Sequence, residues 1–446
     1  MRNVLLVGAG RSSSSLIKYF LDHSAEENWR LTVADFSEEL AKNKIKNHPS
    51  GIAIGFDIQN EKQLENLVSD ADIVISMLPA DKHYPVAIEC LKQKKNLLTA
   101  SYISPEMKEL NSAVSEAGLI FLNECGLDPG LDHMSSMEII ESVKEQGGTM
   151  TAFRSYTGGL VAPESDDNPW GYKFSWNPRN VILAGQSTAK YIENGFYKYI
   201  PYSRLFTEIK NIYIEGLGNF DGYANRDSLS YRKLYHLEKI QTMIRGTLRK
   251  SGYCKAWNVF VQLGLTDDSF KIGDAEKLTY RELTESFLPS FIKGKNAEER
   301  LSKFLNLPLD SLEMEMVKWT GILSDANIGK SNVSPAEILQ YLLEEKWLLK
   351  ESDKDMIVMQ HQFEYILENK NIFHTSSLVV KGENSNYTAM AKTVGLPVAI
   401  AARLILNNKI KIKGVLIPTD HSIYKPVLEE LKNIGIRFVD TRKEIV

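Results

Sequence analysis

The chain has 446 residues, of which 43% are hydrophobic and 25% are charged, and its 57 acidic and 53 basic side chains give a net charge of −4. A length above about 250–300 residues predicts more than one domain, and the near balance of charge argues against a nucleic-acid or anionic-membrane partner. The three cysteines are too widely spaced for a disulfide framework or a zinc site, so we expect three buried thiols.

The chain opens with the apolar run MRNVLLVGAG, which is far too short for the core of a signal sequence or for a membrane span. No later stretch of the sequence approaches about 18 continuous apolar residues. We therefore predict a cytoplasmic protein with no membrane partner.

Short apolar runs alternate with amphipathic stretches over the first 130 residues. Strands are predicted at 3–7, 30–34, 51–56, 72–77, 96–99 and 119–123, and helices at 13–21, 38–46, 63–68, 83–92 and 105–117. Apolar strands separated by helices indicate βαβ units with right-handed crossovers. The pattern predicts an α/β protein whose first domain is a Rossmann-like parallel sheet.

The regular alternation of short strands and helices ends after about residue 150. The stretch 149–157 alternates like a strand of a mixed sheet, whereas 267–350 is typical of helices. Strands return at 356–358 and 374–382, and 388–408 predicts one or two helices interrupted at Gly395 to Pro397. The tail predicts a helix and then a strand that returns to the first domain.

We therefore predict three domains. Residues 1–130 with about 390–446 form the Rossmann-like domain, and 131–265 with about 351–389 form a mixed α/β domain. Residues 266–350 form a small helical domain.

A glycine-rich loop, Gly8-Ala9-Gly10-Arg11-Ser12-Ser13, follows the first predicted strand and precedes a helix. In dinucleotide-binding loops the first glycine makes the tight turn, and the second lets the backbone approach the pyrophosphate. Ser13 replaces the third glycine of that pattern. The free N–H groups and the dipole of the following helix favour an anion, so the loop predicts a dinucleotide cofactor.

Asp35 lies at the end of the second predicted strand. A carboxylate at this position can accept hydrogen bonds from the ribose hydroxyls and repels a 2′-phosphate. The sequence therefore predicts NAD in preference to NADP. The alternative is that Asp35 caps the next helix, although Ser37 is also available for that position.

Several long motifs occur in order along nearly the whole chain: VLLVGAGRSS, DIVISMLP, TASYISPEM, NECGLDPGLDHM, GGLVAPESDDNPWGYKFSW, YANRDS, IRGTLRKSGY and AMAKTVGLP. With these motifs the chain resembles the glutamate-forming saccharopine dehydrogenases, also called saccharopine reductases, and the dehydrogenase half of aminoadipic semialdehyde synthase. The resemblance implies oxidation of saccharopine to glutamate and 2-aminoadipate 6-semialdehyde with a nicotinamide cofactor.

The resemblance also implies which residues contact the ligands. The implied saccharopine contacts are Ser101, Tyr102, Asp128, Arg226, Thr247, Leu248 and Arg249. The implied cofactor contacts are Gly8, Ala9, Gly10, Arg11, Ser12, Asp35, Phe36, Asp57, Ile58, Leu78, Leu127, Asp128, Pro129 and Ser175. Arginine suits the substrate carboxylates because its planar fork makes two parallel charge-assisted hydrogen bonds. No metal ligands are implied.

The stretch GLDPGLDHM follows the sixth predicted strand, at the edge where open α/β sheets bind ligands. Asp128 can accept a hydrogen bond from the substrate ammonium, and Asp128, Tyr102 and His133 are the candidates for the proton acceptor. The sequence does not choose among the three. Asp132 is expected to cap the next helix, and a structural role is favoured over a catalytic one for His133.

Two other functions stay open at the level of the sequence. One is a related imine reductase, such as a carboxyspermidine dehydrogenase, and the other is a dinucleotide-binding sensor without turnover. We expect a homodimer, because the mixed-sheet domain offers a surface for association.

Overall fold

The structure is a computed structural model that describes residues 1–445. Backbone contacts divide the chain into two units, one formed by Met1–Met150 together with the chain from Tyr365 onward, the other by Thr151–Glu364. The first unit is thus built from both ends of the chain. The segment 266–350, for which a separate helical domain is predicted, lies within the second unit, and the three-domain division stays a prediction.

The N-terminal part of the first unit alternates strands and helices. Its strands are β1 (Arg2–Val7), β2 (Trp29–Asp35), β3 (Gly51–Gly55), β4 (Ile73–Ser76), β5 (Asn96–Thr99) and β6 (Ile120–Leu122). Its helices are α1 (Ser14–Asp22), α2 (Ser24–Glu27), α3 (Glu38–Ile45), α4 (Glu61–Ser69), α5 (His83–Lys92), α6 (Pro105–Glu109), α7 (Asn111–Glu116) and α8 (Leu131–Glu145). The predicted elements are confirmed, except that the predicted helix 105–117 is divided at Leu110.

The second unit contains most of the remaining elements. Its strands are β7 (Thr149–Val161), β8 (Ala189–Glu193), β9 (Phe196–Ile200), β10 (Lys210–Ile214), β11 (Gly218–Ala224), β12 (Thr242–Lys250) and β13 (Asp355–Leu367). Its helices are α9 (Pro178–Ile182), α10 (Tyr202–Leu205), α11 (Tyr231–Leu234), α12 (Tyr253–Leu263), α13 (Tyr280–Phe287), α14 (Ala297–Leu305), α15 (Leu312–Thr320) and α16 (Pro335–Lys346).

The C-terminal elements complete the first unit. They are β14 (Lys370–Lys381), α17 (Ala389–Leu406), β15 (Gly414–Leu416), α18 (His421–Asn433) and β16 (Val439–Ile445). Strand β16 pairs antiparallel with β14, and β15 pairs parallel with β6. The tail strand β16 thus falls in the first unit, with which the sequence associated it, and the edge of the parallel sheet beside β6 is taken by the shorter β15, for which no strand was predicted.

Seven parallel strands form the sheet of the first unit, in the order β15-β6-β5-β4-β1-β2-β3. The strand order reverses between β1 and β4, and ligands of open α/β sheets bind beyond the carboxyl ends of the strands at such a point. The apolar residues of β1 from Val4 to Val7 are at most 1% exposed, as expected for strands covered on both faces. The predicted α/β fold class with a Rossmann-like parallel sheet is confirmed.

The second unit has a mixed sheet in the order β10-β11-β12-β7-β13, in which β12 runs parallel to β7 and antiparallel to β11. Its core is rich in aromatic side chains, and the rings of Trp170 and Phe260 stack with centroids 5.6 Å apart. Helices α13 and α16 begin with capping boxes at Thr279 and Ser334, which satisfy the free N–H groups of the first turn.

Helix α17 is continuous although it contains Pro397, so the predicted interruption at Gly395 to Pro397 is wrong. Among the described residues it is the one helix whose length and hydropathy would suffice to cross a membrane, and 67% of it is buried inside the protein, which is typical of a core helix. The three cysteines are free and buried, which confirms that prediction.

Candidate functional site

The glycine loop turns sharply at the carboxyl end of β1. Gly8 has a φ of +102°, and a Cβ added there would lie 2.8 Å from the carbonyl oxygen of Met77. Any other residue would therefore be strained and would collide with the chain after β4. A Cβ added at Gly10 meets nothing within 4 Å, so the space beside the loop is open. This open cradle fits the backbone approach that a dinucleotide requires.

The carboxylate of Asp35 holds the glycine loop in place. Its Oδ2 accepts a hydrogen bond from the N–H of Ala9 at 2.6 Å, and its Oδ1 accepts one from the N–H of Ser37 at 2.9 Å. Ser37 is the N-cap of α3, accepting from the N–H of Leu40 at 3.2 Å. The alternative in which Asp35 caps this helix is therefore excluded.

Lys44 brings a positive charge to the same loop. Its Nζ donates to the carbonyl oxygen of Gly10 and lies 3.1 Å from Oγ of Ser13. Burial lowers the pKa of Lys44 to about 8, although the nearby Asp35 carboxylate raises it. The amine therefore keeps its charge at neutral pH and loses it slightly above, beside the loop that would hold the phosphates.

Gly395 of α17 lets that helix approach the loop from the other side. A Cβ added at Gly395 would lie 3.1 Å from the carbonyl oxygen of Ser12 and from the backbone N of Leu16. Close packing of a helix against the loop, which the third glycine of the loop pattern would allow, is thus provided by a glycine on the neighbouring helix.

Other predicted cofactor residues lie at the carboxyl ends of β2, β3 and β4. Phe36 is 85% exposed, and Asp57 accepts from the N–H of Gln59 at 3.0 Å in the turn after β3. Leu78 follows β4, and its backbone N is 3.3 Å from the Cβ position at Gly8. Ile58 is partly buried against the core of the first unit.

The segment after β5 contains Ser101, whose hydroxyl is bonded to a buried imidazole. His83 Nε2 lies 2.7 Å from Oγ of Ser101 and 3.2 Å from Oγ1 of Thr99, and its Nδ1 lies 2.8 Å from Oγ of Ser76. Burial lowers the pKa of His83 to about 4, with a smaller opposing effect from Asp81. The neutral ring has one donor and one acceptor nitrogen, so it fixes the orientation of both serine hydroxyls.

The GLDPG segment folds back on itself after β6. The N–H of Gly126 donates to the carbonyl oxygen of Pro129 at 3.0 Å, and the N–H of Leu131 donates to the carbonyl oxygen of Gly126 at 2.8 Å. Gly130 has a φ of +144°, and a Cβ there would lie 2.3 Å from the backbone of Gly126. Only glycine allows this closure, which leaves Asp128 half-buried between fully buried neighbours.

The structure brings together two of the predicted proton acceptors. The phenol of Tyr102 donates to Oδ1 of Asp128 at 3.2 Å, and both side chains are partly exposed. A carboxylate and a phenol in contact at this edge of the sheet can bind an ammonium and exchange a proton with it.

The third candidate, His133, is fully buried in the first turn of α8. Its Nε2 lies 2.9 Å from Oε2 of Glu124, and its Nδ1 lies 3.6 Å from Oδ2 of Asp132. Asp132 does not occupy the N-cap, which is Gly130, but its Oδ1 accepts from the N–H of Gly130 at 2.7 Å. The location of His133 favours a supporting role, and a catalytic role stays a prediction.

In the second unit, Thr247, Leu248 and Arg249 lie together on β12. Arg249 is 5% exposed and its guanidinium lies 5.2 Å from the ring centre of Tyr172 and 5.4 Å from that of Tyr253. Its Nη1 donates to the carbonyl oxygen of Leu248 at 2.9 Å, whereas its buried Nε has no hydrogen-bond partner. An orphaned guanidinium N–H of this kind is suited to a carboxylate.

Arg226 follows β11 and is exposed, with a φ of +49°. The neighbouring Asp227 accepts from the N–H of Leu229 at 2.9 Å and lies 3.7 Å from Nζ of Lys190. Ser175, the predicted cofactor contact of this unit, is 2% exposed. The predicted contacts of Arg226 with the substrate and of Ser175 with the cofactor stay predictions.

Lys44, His83 and Glu124 were missed as site residues at the level of the sequence. Lys44 is one of several lysines on a helix, and nothing in the spacing distinguishes it. Glu124 carried a signal, since an acid directly after an apolar strand and before GLDPG is costly to bury without a partner. The signal for His83 was weaker, because a histidine that begins a helix is common.

Two family profiles match the chain: "Saccharopine dehydrogenase NADP binding domain" over residues 4–122 and "Saccharopine dehydrogenase C-terminal domain" over residues 126–436. The NADP(+), L-glutamate-forming saccharopine dehydrogenase of Schizosaccharomyces pombe is 35% identical, covering 98% of each chain. The mitochondrial alpha-aminoadipic semialdehyde synthase of Bos taurus is 39% identical over 98% of this chain and 47% of its own length. The chain thus spans about half the length of the mammalian relatives it matches.

Among solved structures, the apo L-Glu-forming saccharopine dehydrogenase from Saccharomyces cerevisiae superposes with a TM-score of 0.88 at 32% identity, covering 99% of this chain and 100% of that one. The homospermidine synthase from Legionella pneumophila in complex with NAD superposes with a TM-score of 0.56 at 11% identity, over 99% of this chain and 91% of that one. The second likeness concerns the fold alone.

These comparisons contradict the preference for NAD that was predicted from Asp35. The matching N-terminal profile is an NADP binding domain, and the curated fungal relatives carry NADP(+) in their names. The physical reason lies in the contacts of Asp35, because both of its oxygens accept backbone N–H groups and Lys44 supplies a positive charge nearby. The prediction treated this carboxylate as free for the ribose.

Proposed function

Because the chain belongs to the saccharopine dehydrogenase family, we propose that it oxidises saccharopine to L-glutamate and 2-aminoadipate 6-semialdehyde with NADP as the cofactor. The observation that carries the proposal is the contact between Tyr102 and Asp128 on two loops at the carboxyl edge of the parallel sheet. The glycine loop of the cofactor lies at the same edge, after β1.

The residues present fit the proposed cofactor. Gly8 and Gly10 form a turn with an open cradle that would hold the pyrophosphate, and Lys44, which contacts Gly10 and Ser13, would offset phosphate charge. Leu78 and the Leu127 to Pro129 turn are the proposed contacts on the nicotinamide side. When bound, the nicotinamide would supply the hydride acceptor, and the protein supplies position and charge.

The reaction requires the secondary amine of saccharopine to lose a proton, since hydride does not leave readily from a carbon beside a cationic nitrogen. In the proposal Asp128 binds the substrate ammonium and the Tyr102–Asp128 pair receives the proton, because Tyr102 keeps the carboxylate oriented. Once the neighbouring carbon has given up its hydride, water adds to the resulting imine carbon. The C–N bond of the carbinolamine then breaks to leave the semialdehyde, and the same pair returns a proton to the departing amine of glutamate. General acid–base help of this kind contributes about 10²–10⁴-fold.

The decisive experiment measures the absorbance of reduced nicotinamide with saccharopine and NADP, and in parallel with carboxyspermidine. We expect turnover with saccharopine and none with carboxyspermidine. Turnover with carboxyspermidine alone would indicate a related imine reductase, whereas cofactor binding without turnover of either substrate would indicate a sensor. Each of these two results would refute the proposal.

The homodimer and the cytoplasmic location also belong to this proposal. Several aromatic side chains are exposed in the second unit, including Phe196, Tyr199 and Tyr213, and such residues are enriched at protein interfaces. Light scattering on the purified protein tests the dimer, and cell fractionation tests the location.

A further inference from the structure

The two loops that carry Tyr102 and Asp128 are joined by a buried cluster of titratable side chains. The cluster consists of Glu124, Asp132 and His133, which are 2%, 1% and 0% exposed. Burying two carboxylates costs several kcal/mol per ion unless hydrogen bonds compensate. So costly a cluster within a few residues of the proposed site calls for a functional reason as well as a structural one.

Glu124 is bonded to both residues that flank Tyr102. Its backbone N–H donates to the carbonyl oxygen of Ser101 at 3.0 Å, and its side-chain Oε1 accepts from the N–H of Ile103 at 3.0 Å. The residue has a φ of +52°, which is uncommon for a side-chain-bearing residue. The backbone on each side of Tyr102 is therefore held by one glutamate.

The other carboxylate oxygen of Glu124 connects this segment to the GLDPG turn. Oε2 lies 2.9 Å from Nε2 of His133, which lies in the first turn of α8, directly after the GLDPG turn. Beside it, Asp132 Oδ1 accepts from the N–H of Gly130, the residue that closes the turn around Asp128. The connection runs from Ile103 through Glu124 and His133 to the helix that anchors the turn.

We propose that Glu124 is a positioning residue for the reaction: through Ile103 on one side and His133 on the other, it holds Tyr102 against Asp128. This inference rests on the proposed function. The hydrogen bond of 3.2 Å between Tyr102 and Asp128 joins two loops from different strands, and a displacement of about 1 Å in such a constellation costs about 100-fold in rate. Glu124 thus acts on the substrate only through the pair.

A double-mutant cycle with Glu124→Ala and Tyr102→Phe tests the inference. If Glu124 acts through the phenol, Glu124→Ala lowers kcat/KM for saccharopine about 10- to 100-fold in the native background, but less than about threefold when Tyr102 is already phenylalanine. The Kd for NADP, measured by fluorescence quenching, stays within about twofold in all four proteins. Equal losses in the two backgrounds overturn the inference, because a merely structural role is independent of the phenol.

Glu27→Ala is the matched control. Glu27 is a largely buried carboxylate of the same unit that is bonded to Arg2 and Asn407. It ends α2 and does not lie on any of the loops that follow the strands of the site. We expect it to lower the melting temperature without a change of more than about twofold in kcat/KM. An equal loss of kcat/KM in Glu27→Ala and Glu124→Ala overturns the inference.

If Glu124→Ala does not fold, Glu124→Gln replaces it in the cycle. The amide oxygen can still accept from Ile103, whereas the charge opposite His133 is lost, so we expect a smaller loss of about three- to tenfold that again disappears in the Tyr102→Phe background. A wild-type enzyme that does not turn over saccharopine refutes the proposed function itself, and the inference falls with it. Activity of the wild type with equal losses across the cycle refutes the inference alone.

Discussion

Replacing Gly130 by alanine should open the turn that carries Asp128. Gly130 has a φ of +144°, and an added Cβ would lie 2.3 Å from the backbone N and O of Gly126. These are backbone atoms, so no side-chain rotation relieves the contact. The backbone strain costs about 1–3 kcal/mol and the overpacking about 1–3 kcal/mol. We therefore expect a loss of about 2–6 kcal/mol in the free energy of unfolding.

Gly147→Ala is the control for this experiment. Gly147 lies in the same unit with a φ of +79°, but a Cβ there meets nothing within 4 Å. Its replacement therefore incurs only the conformational cost of about 1–2 kcal/mol. Urea unfolding gives the two free energies, and the saccharopine assay should show a loss of at least about tenfold in kcat/KM for Gly130→Ala alone.

The result that would refute this reasoning is an equal loss of stability in the two variants together with unchanged saccharopine kinetics. In that case the close approach of Gly130 to Gly126 would not hold the turn, and the geometry of Asp128 would not depend on it.

Three further predictions concern charge. Lys44→Gln should raise the Kd for NADP about tenfold. The Lys44 amine has a pKa of about 8 and loses its charge as the pH rises, so the Kd of the wild type should increase between pH 7 and pH 9. The same increase with pH in the variant, measured by calorimetry, would count against this role of Lys44. Since the folded-state pKa of His83 is about 4 and its ordinary value about 6.5, unfolding takes up a proton between these values, so stability should fall by about 3 kcal/mol as the pH drops from 6.5 to 4. Urea midpoints should show that slope in the wild type and not in His83→Gln, and identical slopes would exclude His83 as its source. Arg226→Ala should raise KM for saccharopine strongly with the Kd for NADP unchanged, and unaltered saccharopine kinetics would remove Arg226 from the substrate site.

Much of the first unit could be predicted because its signals are local. Each strand from β1 to β6 is a short apolar run bounded by polar or glycine residues, and the observed limits lie within about two residues of the predicted ones. The glycine loop was predictable for the same reason, since Gly8 needs its positive φ at a fixed position after β1.

The predictions failed where the outcome depended on distant partners. Pro397 indicated an interruption in α17, yet the helix is continuous because its buried packing outweighs the local cost of proline. Asp35 indicated NAD from its position alone, whereas in the fold each of its oxygens accepts a backbone N–H group, of Ala9 or Ser37, and the Lys44 amine lies nearby. No strand was predicted at Gly414 to Leu416, yet β15 forms the edge of the parallel sheet through its pairing with the distant β6.

The sequence by itself determined the α/β architecture, the phosphate loop and the presence of a charged turn at GLDPG, because periodicity and turn chemistry act over a few residues. Only the tertiary structure decided that Tyr102 meets Asp128, that Glu124 joins Ile103 to His133, and that Lys44 faces Gly10. These contacts join residues 9 to 34 positions apart. Local sequence patterns act over a few residues, so a single sequence does not tell which of its distant side chains the fold brings into contact.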